Sequence, residues 1–144
     1  MKTISKLLIA VLLTFLVACT DEDRLEMKDG DKVIFTAHIQ YIADGKTKND
    51  KGASLYLFED FADIQNYTFQ GGKFVHNITG QTKDHQYQST ANEAGMANAY
   101  VLYGRTYTAV VQSAAYPKQY KQSIHKLNGN QTQIGLGQIV FKEK

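Results

Sequence analysis

The sequence predicts an all-β protein, a seven- to eight-stranded antiparallel β-sandwich. Three observations carry this. Apolar residues recur with a period of two rather than 3.6 from residue 32 onward. Gly, Asn and Asp clusters punctuate these runs at short intervals. Seven or eight such short runs fit a sandwich better than a barrel or any α/β form.

In residues 32–41 the odd positions Val33, Phe35, Ala37, Ile39 and Tyr41 are apolar, whereas Thr36, His38 and Gln40 are polar. That is a strand with one buried face. Asp44-Gly45 marks a turn, and residues 44–52 read as a polar loop. In residues 53–58, Leu55 and Leu57 share one face and Tyr56 and Phe58 the other, so this strand is expected to be covered on both sides. Residues 59–66 are read as one helical turn. Residues 67–70 and 73–78 flank Gly71-Gly72, a two-residue hairpin turn.

Residues 85–90 form a polar strand candidate, followed by 96–103 and 106–112, the latter with Tyr107, Ala109 and Val111 inward. Residues 133–141 close the chain. Their apolar parity shifts from Ile134 and Leu136 to Ile139 and Phe141, which a bulge near Gly137 explains. The expected core is Phe35, Leu55, Leu57, Phe74, Tyr107, Val111 and Phe141. A domain near this size buries roughly two-thirds of its unfolded surface and needs no disulfide or metal to fold.

The N-terminus is an address. Lys2 and Lys6 precede an apolar run, residues 7–17, interrupted only by Thr14. Eleven helical residues rise about 16 Å, roughly half of a ~30 Å hydrocarbon core. The segment is too short to span and reads as a secretory signal peptide. Its end, Leu16-Val17-Ala18-Cys19, resembles a bacterial lipobox and holds the single Cys of the 144 residues. The resemblance implies cleavage after Ala18 and lipidation of Cys19, a membrane tether through two or more acyl chains. With the signal peptide at 1–18, residues 19–31 form the lipidated Cys and an acidic flexible tether, and residues 32–144 the sandwich domain. The cluster Asp21-Glu22-Asp23 resembles the surface-export signal of Bacteroidota lipoproteins. The expected location is therefore the cell envelope, as a surface-exposed outer-membrane lipoprotein.

The formal net charge of +2 belongs to the precursor; loss of Lys2 and Lys6 leaves the mature chain neutral. Residues 20–63 hold 11 acids and 6 bases, residues 64–144 hold 3 acids and 8 bases. This is not the clustered basic footprint of a nucleic-acid binder, and no nucleic-acid partner is expected.

Residues 90–110, with Gly95, Gly104 and Tyr107, resemble a stretch of prealbumin-like (transthyretin-like) sandwich domains, including carboxypeptidase-regulatory-like and collagen-adhesin repeats. There a turn ends in Gly, a strand of small and apolar residues follows, and Gly-x-x-Tyr enters the next strand. The resemblance implies that the Tyr107 ring is buried with its hydroxyl on nearby backbone, as in a tyrosine corner. Adhesin repeats carry a Lys–Asn crosslink with the Asn in the last strand. Residues 134–144 contain no Asn, so no such bond is expected.

Catalytic signatures are missing from the sequence. It has no Gly-x-Ser-x-Gly elbow, no His-Glu-x-x-His and no phosphate-binding loop. A lipidated Cys19 leaves no thiol nucleophile. His38, His76, His85 and His125 are widely spaced and read as surface residues rather than zinc ligands. Glu59, Asp60 and Asp63 read as solvated carboxylates rather than a glycosidase pair. No enzyme activity, cofactor, metal or catalytic residue is expected.

The remaining candidates for recognition are Tyr116, Lys118, Tyr120 and Lys121, in the long connection 113–132. Rigid amphipathic rings beside bases suit contact with a protein or a glycan, or else they pack onto the sandwich edge. A twenty-residue connection is either functional or hides a strand. The expected role is an interaction module anchored in the membrane and holding an envelope protein. The alternatives are a glycan-binding accessory of an uptake system and a fimbria-like subunit exchanging strands.

Overall fold

The computed structural model describes residues 26–143. The expected signal peptide, Cys19 and the acidic cluster Asp21-Glu22-Asp23 lie outside the described residues.

The described chain is all-β, with eleven strands: β1 (Lys32–Ala43), β2 (Lys46–Asn49), β3 (Ser54–Glu59), β4 (Tyr67–Gln70), β5 (Lys73–His76), β6 (Thr82–Asp84), β7 (Tyr87–Thr90), β8 (Met96–Leu102), β9 (Thr106–Gln112), β10 (Tyr120–Lys126) and β11 (Gln133–Lys142). Eight of them make a two-layer sandwich. One layer runs β11-β1-β2, with β8 beside the first half of β1 and β2 beside its second half. The other runs β10-β9-β3-β7. The remaining three, β4-β5-β6, form a small sheet of their own.

The alternation in β1 does what its period requires. Val33, Phe35, Ala37 and Ile39 are all buried between the layers. They meet Leu55 and Leu57 of β3, Tyr107, Ala109 and Val111 of β9, and Phe141 of β11 in one core cluster. The other face of β3 and β9 is apolar as well, and the third sheet covers it. Tyr56, Phe58 and Val110 pack there with Phe61, Phe69 and Phe74. The rings of Phe58 and Phe74 lie 4.7 Å apart in an edge arrangement. This explains why a strand buried on both sides occurs in so small a domain. All seven residues expected in the core are buried, with Phe74 in this second cluster.

Two turns follow directly from the sequence. Gly71 and Gly72 both take positive φ, 56° and 88°, and close the β4–β5 hairpin. Gly137, at φ 72°, sits in the register shift where β11 passes Ala37 of β1, the bulge that the parity change demanded.

Three features differ from the sequence reading, and a fourth, β10, settles an alternative it left open. The strand pairs are antiparallel except one, for β11 runs parallel to β1 along Ile34–Ile42. A period of two carries no information on strand direction. Here the chain leaves β10 in one layer and crosses to the other before re-entering, as a parallel pair requires. Residues 59–66 form no helical turn. Asp60 stands at φ 49°, its N–H donates to the Thr106 carbonyl at 2.7 Å, and the Thr108 hydroxyl takes the Phe61 carbonyl. The backbone groups that a helix would use are already paired. The polar loop 44–52 contains β2, and the connection 113–132 contains β10. Both strands expose nearly all their side chains, so neither has an apolar signature.

The stretch leading into β1 is also ordered. Asp31 accepts from the Lys28 N–H at 2.8 Å, its carbonyl accepts from the Tyr103 N–H at 2.7 Å, and Met27 packs against the core.

Candidate functional site: an open edge between the layers

β10 ends one layer and β11 ends the other, and both lie on the same side of the sandwich. Between them the surface is hollowed, and Leu136, Ile139 and Val140 of β11 are only half-buried. A hollow of about 500 Å³ is lined by Lys118, Gln119, Tyr120, Lys121, Gln122 and Phe141. One of about 400 Å³ adjoins Ile42, Val140, Phe141 and Lys142. A smaller one, about 190 Å³, reaches Ala109 and Val111 of β9 and Leu136 and Ile139 of β11. Lys121 lines all three, so they form one cleft divided by its side chain. Among the described residues that line it, Lys118, Lys121 and Lys142 are the charged ones, and no carboxylate is present.

Two long side chains cross the gap. The Lys121 ammonium donates to the Val140 carbonyl at 3.0 Å and stands 5.6 Å from the centre of the Phe141 ring. The Gln119 amide donates to the Lys142 carbonyl at 2.8 Å. Both acceptors belong to the outer edge of β11, whose other edge pairs with β1.

The structure divides the candidates from the sequence. Lys118, Tyr120 and Lys121 line the cleft together. Tyr120 is 36% exposed and leans its ring on Phe69, 5.0 Å away. Tyr116 is not part of the cleft wall. Its hydroxyl donates to the Ile42 carbonyl at 2.6 Å, and its ring meets Tyr41 edge-on, so it ties the loop to the end of β1. Cys19 lies outside the described residues. Sequence reasoning missed Gln119 and the β11 wall of Leu136, Ile139 and Val140. The length of the 113–132 connection was the signal for β10, but nothing in the sequence paired β10 and β11 across a gap.

The other polar clusters are structural. Arg105 pairs with Asp60 at 2.8 Å and Glu59 at 3.6 Å, and the hydrogen bond to Asp60 is the main cause holding its pKa above the ordinary value. Glu59 also accepts from the Tyr87 hydroxyl at 3.3 Å. Burial, with Glu59 adding to it, pushes the Tyr87 phenol up. His76 accepts from the Ile78 and Thr79 N–H groups, and His85 meets the Gly72 carbonyl at 2.6 Å. His38 contacts Asn49 at 3.3 Å. His125 packs edge-on to Phe35, 5.4 Å away. The four are apart, and no group of three metal-ligating side chains converges among the described residues.

No protein-family model and no curated protein matches the chain. Among solved structures it is similar to GBS52, the minor pilin of the gram-positive pathogen Streptococcus agalactiae, with a TM-score of 0.44 and 12% identity. The match covers 81% of this chain and 46% of that one, so the chain spans about half the length of that pilin.

Proposed function

We propose that the protein is a non-enzymatic interaction module, held in the bacterial envelope by lipid on Cys19, whose working surface is the open edge between β10 and β11. The observation that carries this is the cleft, where half-buried Leu136 and Ile139 line a hollow between two strands that each lack a neighbour on one side. Natural sandwiches cover or blunt such edges because unpaired backbone invites a partner. The lipobox-like run 16–19 supports the anchor.

Site-specific photocrosslinking in cells tests the reading. A crosslinker at Gln122, in the cleft, is expected to capture an envelope protein; one at Ile78, 86% exposed in the β5–β6 turn, is not. Equal capture at both positions, or none at Gln122, overturns it. Cys19→Ser is expected to move the protein from the membrane to the soluble fraction.

A second reading, a glycan site, rests on Tyr100. This residue is 63% exposed on the outer face of the first layer, opposite Ile34. On the same face of β1 run uncharged groups that bond one another: Gln133 to Thr36 beside it, and Gln138 to Gln40 and Gln40 to Asn49 further along the strand. An exposed ring beside neutral amides suits a neutral polysaccharide. Affinity electrophoresis through a panel of such polysaccharides, comparing the parent with Tyr100→Ala, tests it; identical mobility in every gel refutes it.

A further inference from the structure

We infer that the cleft is a strand acceptor, and that its occupant is an extended acidic segment of a partner protein that pairs with the outer edge of β11. The inference rests on the proposed role of this edge and names what fills it.

The crossing side chains carry the argument. Val140 and Lys142 are two residues apart, so in a strand their carbonyls point to the same side. Both point away from β1, and both accept from side-chain donors, Lys121 and Gln119. An added strand places its N–H groups at that same alternating spacing. The ammonium and the amide are therefore stand-ins for main-chain donors. Each is the end of a long flexible side chain, half released to water, and can swing aside when a strand arrives.

The lining then selects the occupant. Side chains of an added strand on the core side meet Phe141, Ile139 and Leu136, which reward apolar residues at every second position. Those on the other side meet Lys142, while Lys118 and Lys121 also line the hollow, Lys121 from the core-facing side of β10, with no carboxylate among the lining residues. Carboxylates at the alternate positions are the complement. A second copy of this chain is a poor fit. Pairing of β10 with its copy would gather Lys121 and Lys126 of both chains at one edge. Lysines on an edge strand oppose that kind of association, and the same lysines attract an acidic strand.

The full chain, purified from membranes in a zwitterionic detergent, is titrated with a synthetic peptide alternating Glu and Val. Two control peptides are used: one with Lys in place of Glu, the other N-methylated throughout so that it has no backbone donors. The Glu–Val peptide is expected to bind, to slow hydrogen exchange of the Val140 and Lys142 amides, and to weaken by about tenfold as salt rises from about 50 to about 500 mM. Each control peptide is expected to bind at least about tenfold more weakly. Lys121→Glu is expected to weaken the Glu–Val peptide by about tenfold or more, whereas Gln119→Ala, which removes a stand-in without changing charge, strengthens it by about twofold to threefold. Comparable affinity for either control, unchanged exchange in β11, or concentration-dependent dimerisation blocked by Lys121→Glu overturns the inference. Crosslinking at Gln122 without binding of the Glu–Val peptide refutes the strand occupant and leaves the cleft as the working surface. Peptide binding without crosslinking in cells refutes the cellular role alone.

Discussion

The Asp50 carboxylate accepts the Ser113 hydroxyl at 2.5 Å, joining positions 63 residues apart in the sequence. Asp50 is 2% exposed and also accepts the Ala114 and Ala115 N–H groups at 3.2 and 3.1 Å. Ser113 Oγ in turn accepts from the Tyr116 N–H at 2.9 Å. This cluster fixes the turn that delivers β10 to the edge of the sandwich, so the shape of the cleft depends on the first residue of the β2–β3 connection. Asp50→Ala is expected to destabilise the fold by roughly 3 kcal/mol, since it strips three donors of a buried acceptor. Urea denaturation measures this, and faster amide exchange at residues 114–119 is expected alongside.

The Tyr107 ring is fully buried, and its hydroxyl both donates to the Leu102 carbonyl at 2.9 Å and accepts from the Leu102 N–H at 3.2 Å. Burial, with Glu59 nearby, pushes the phenol far above its ordinary range, so it stays protonated and keeps donating. Tyr107→Phe keeps the ring and loses both bonds, an expected cost of about 1–2 kcal/mol. Tyr107→Ala adds a cavity and is expected to cost about 3–5 kcal/mol. The difference between the two thermal midpoints separates the hydroxyl from the ring.

Gly95 and Gly45 both hold positive φ, 73° and 70°, but their surroundings differ. A Cβ on Gly95 would run into the Ile39 carbonyl oxygen, which the Asp50 N–H already engages at 2.9 Å, whereas a Cβ on Gly45 meets open space. Gly45→Ala is expected to cost about 1 kcal/mol from backbone conformation alone, and Gly95→Ala at least about 2 kcal/mol because β1 must also shift. Equal losses by chemical denaturation would contradict the close approach.

His125 sits half-buried against Phe35, and burial lowers its pKa below the ordinary 6.5. The unfolded chain then takes up this proton at a higher pH than the folded one does. As pH falls below 6.5 the stability contributed here is lost, and the loss levels off once pH passes the lowered folded value. Denaturation midpoints at about pH 7.5 and 5 are expected to show this drop, and His125→Phe to reduce it.

Much of the architecture was written in the chain itself. The alternation of β1, the two apolar faces of β3, the Gly71-Gly72 hairpin and the Gly137 bulge each have a local physical cause, and each is found where that cause puts it. β2 was not legible, and β10 only through the length of its connection, because edge strands owe their order to backbone pairing on one side. Their side chains, Lys46–Asn49 and Tyr120–Lys126, face water and carry no period.

The candidate site divides the same way. Lys118, Tyr120 and Lys121 stood out as aromatic and basic neighbours, yet Tyr116 beside them is a strut on Ile42. What residues 1–31 imply about destination is a property of composition and length, readable without any fold. Which strands end the two layers, that β11 runs parallel to β1, and that Lys121 reaches the Val140 carbonyl are decided by tertiary structure alone. Burial stamps its period on the sequence, whereas an unpaired edge is defined by the neighbour it lacks.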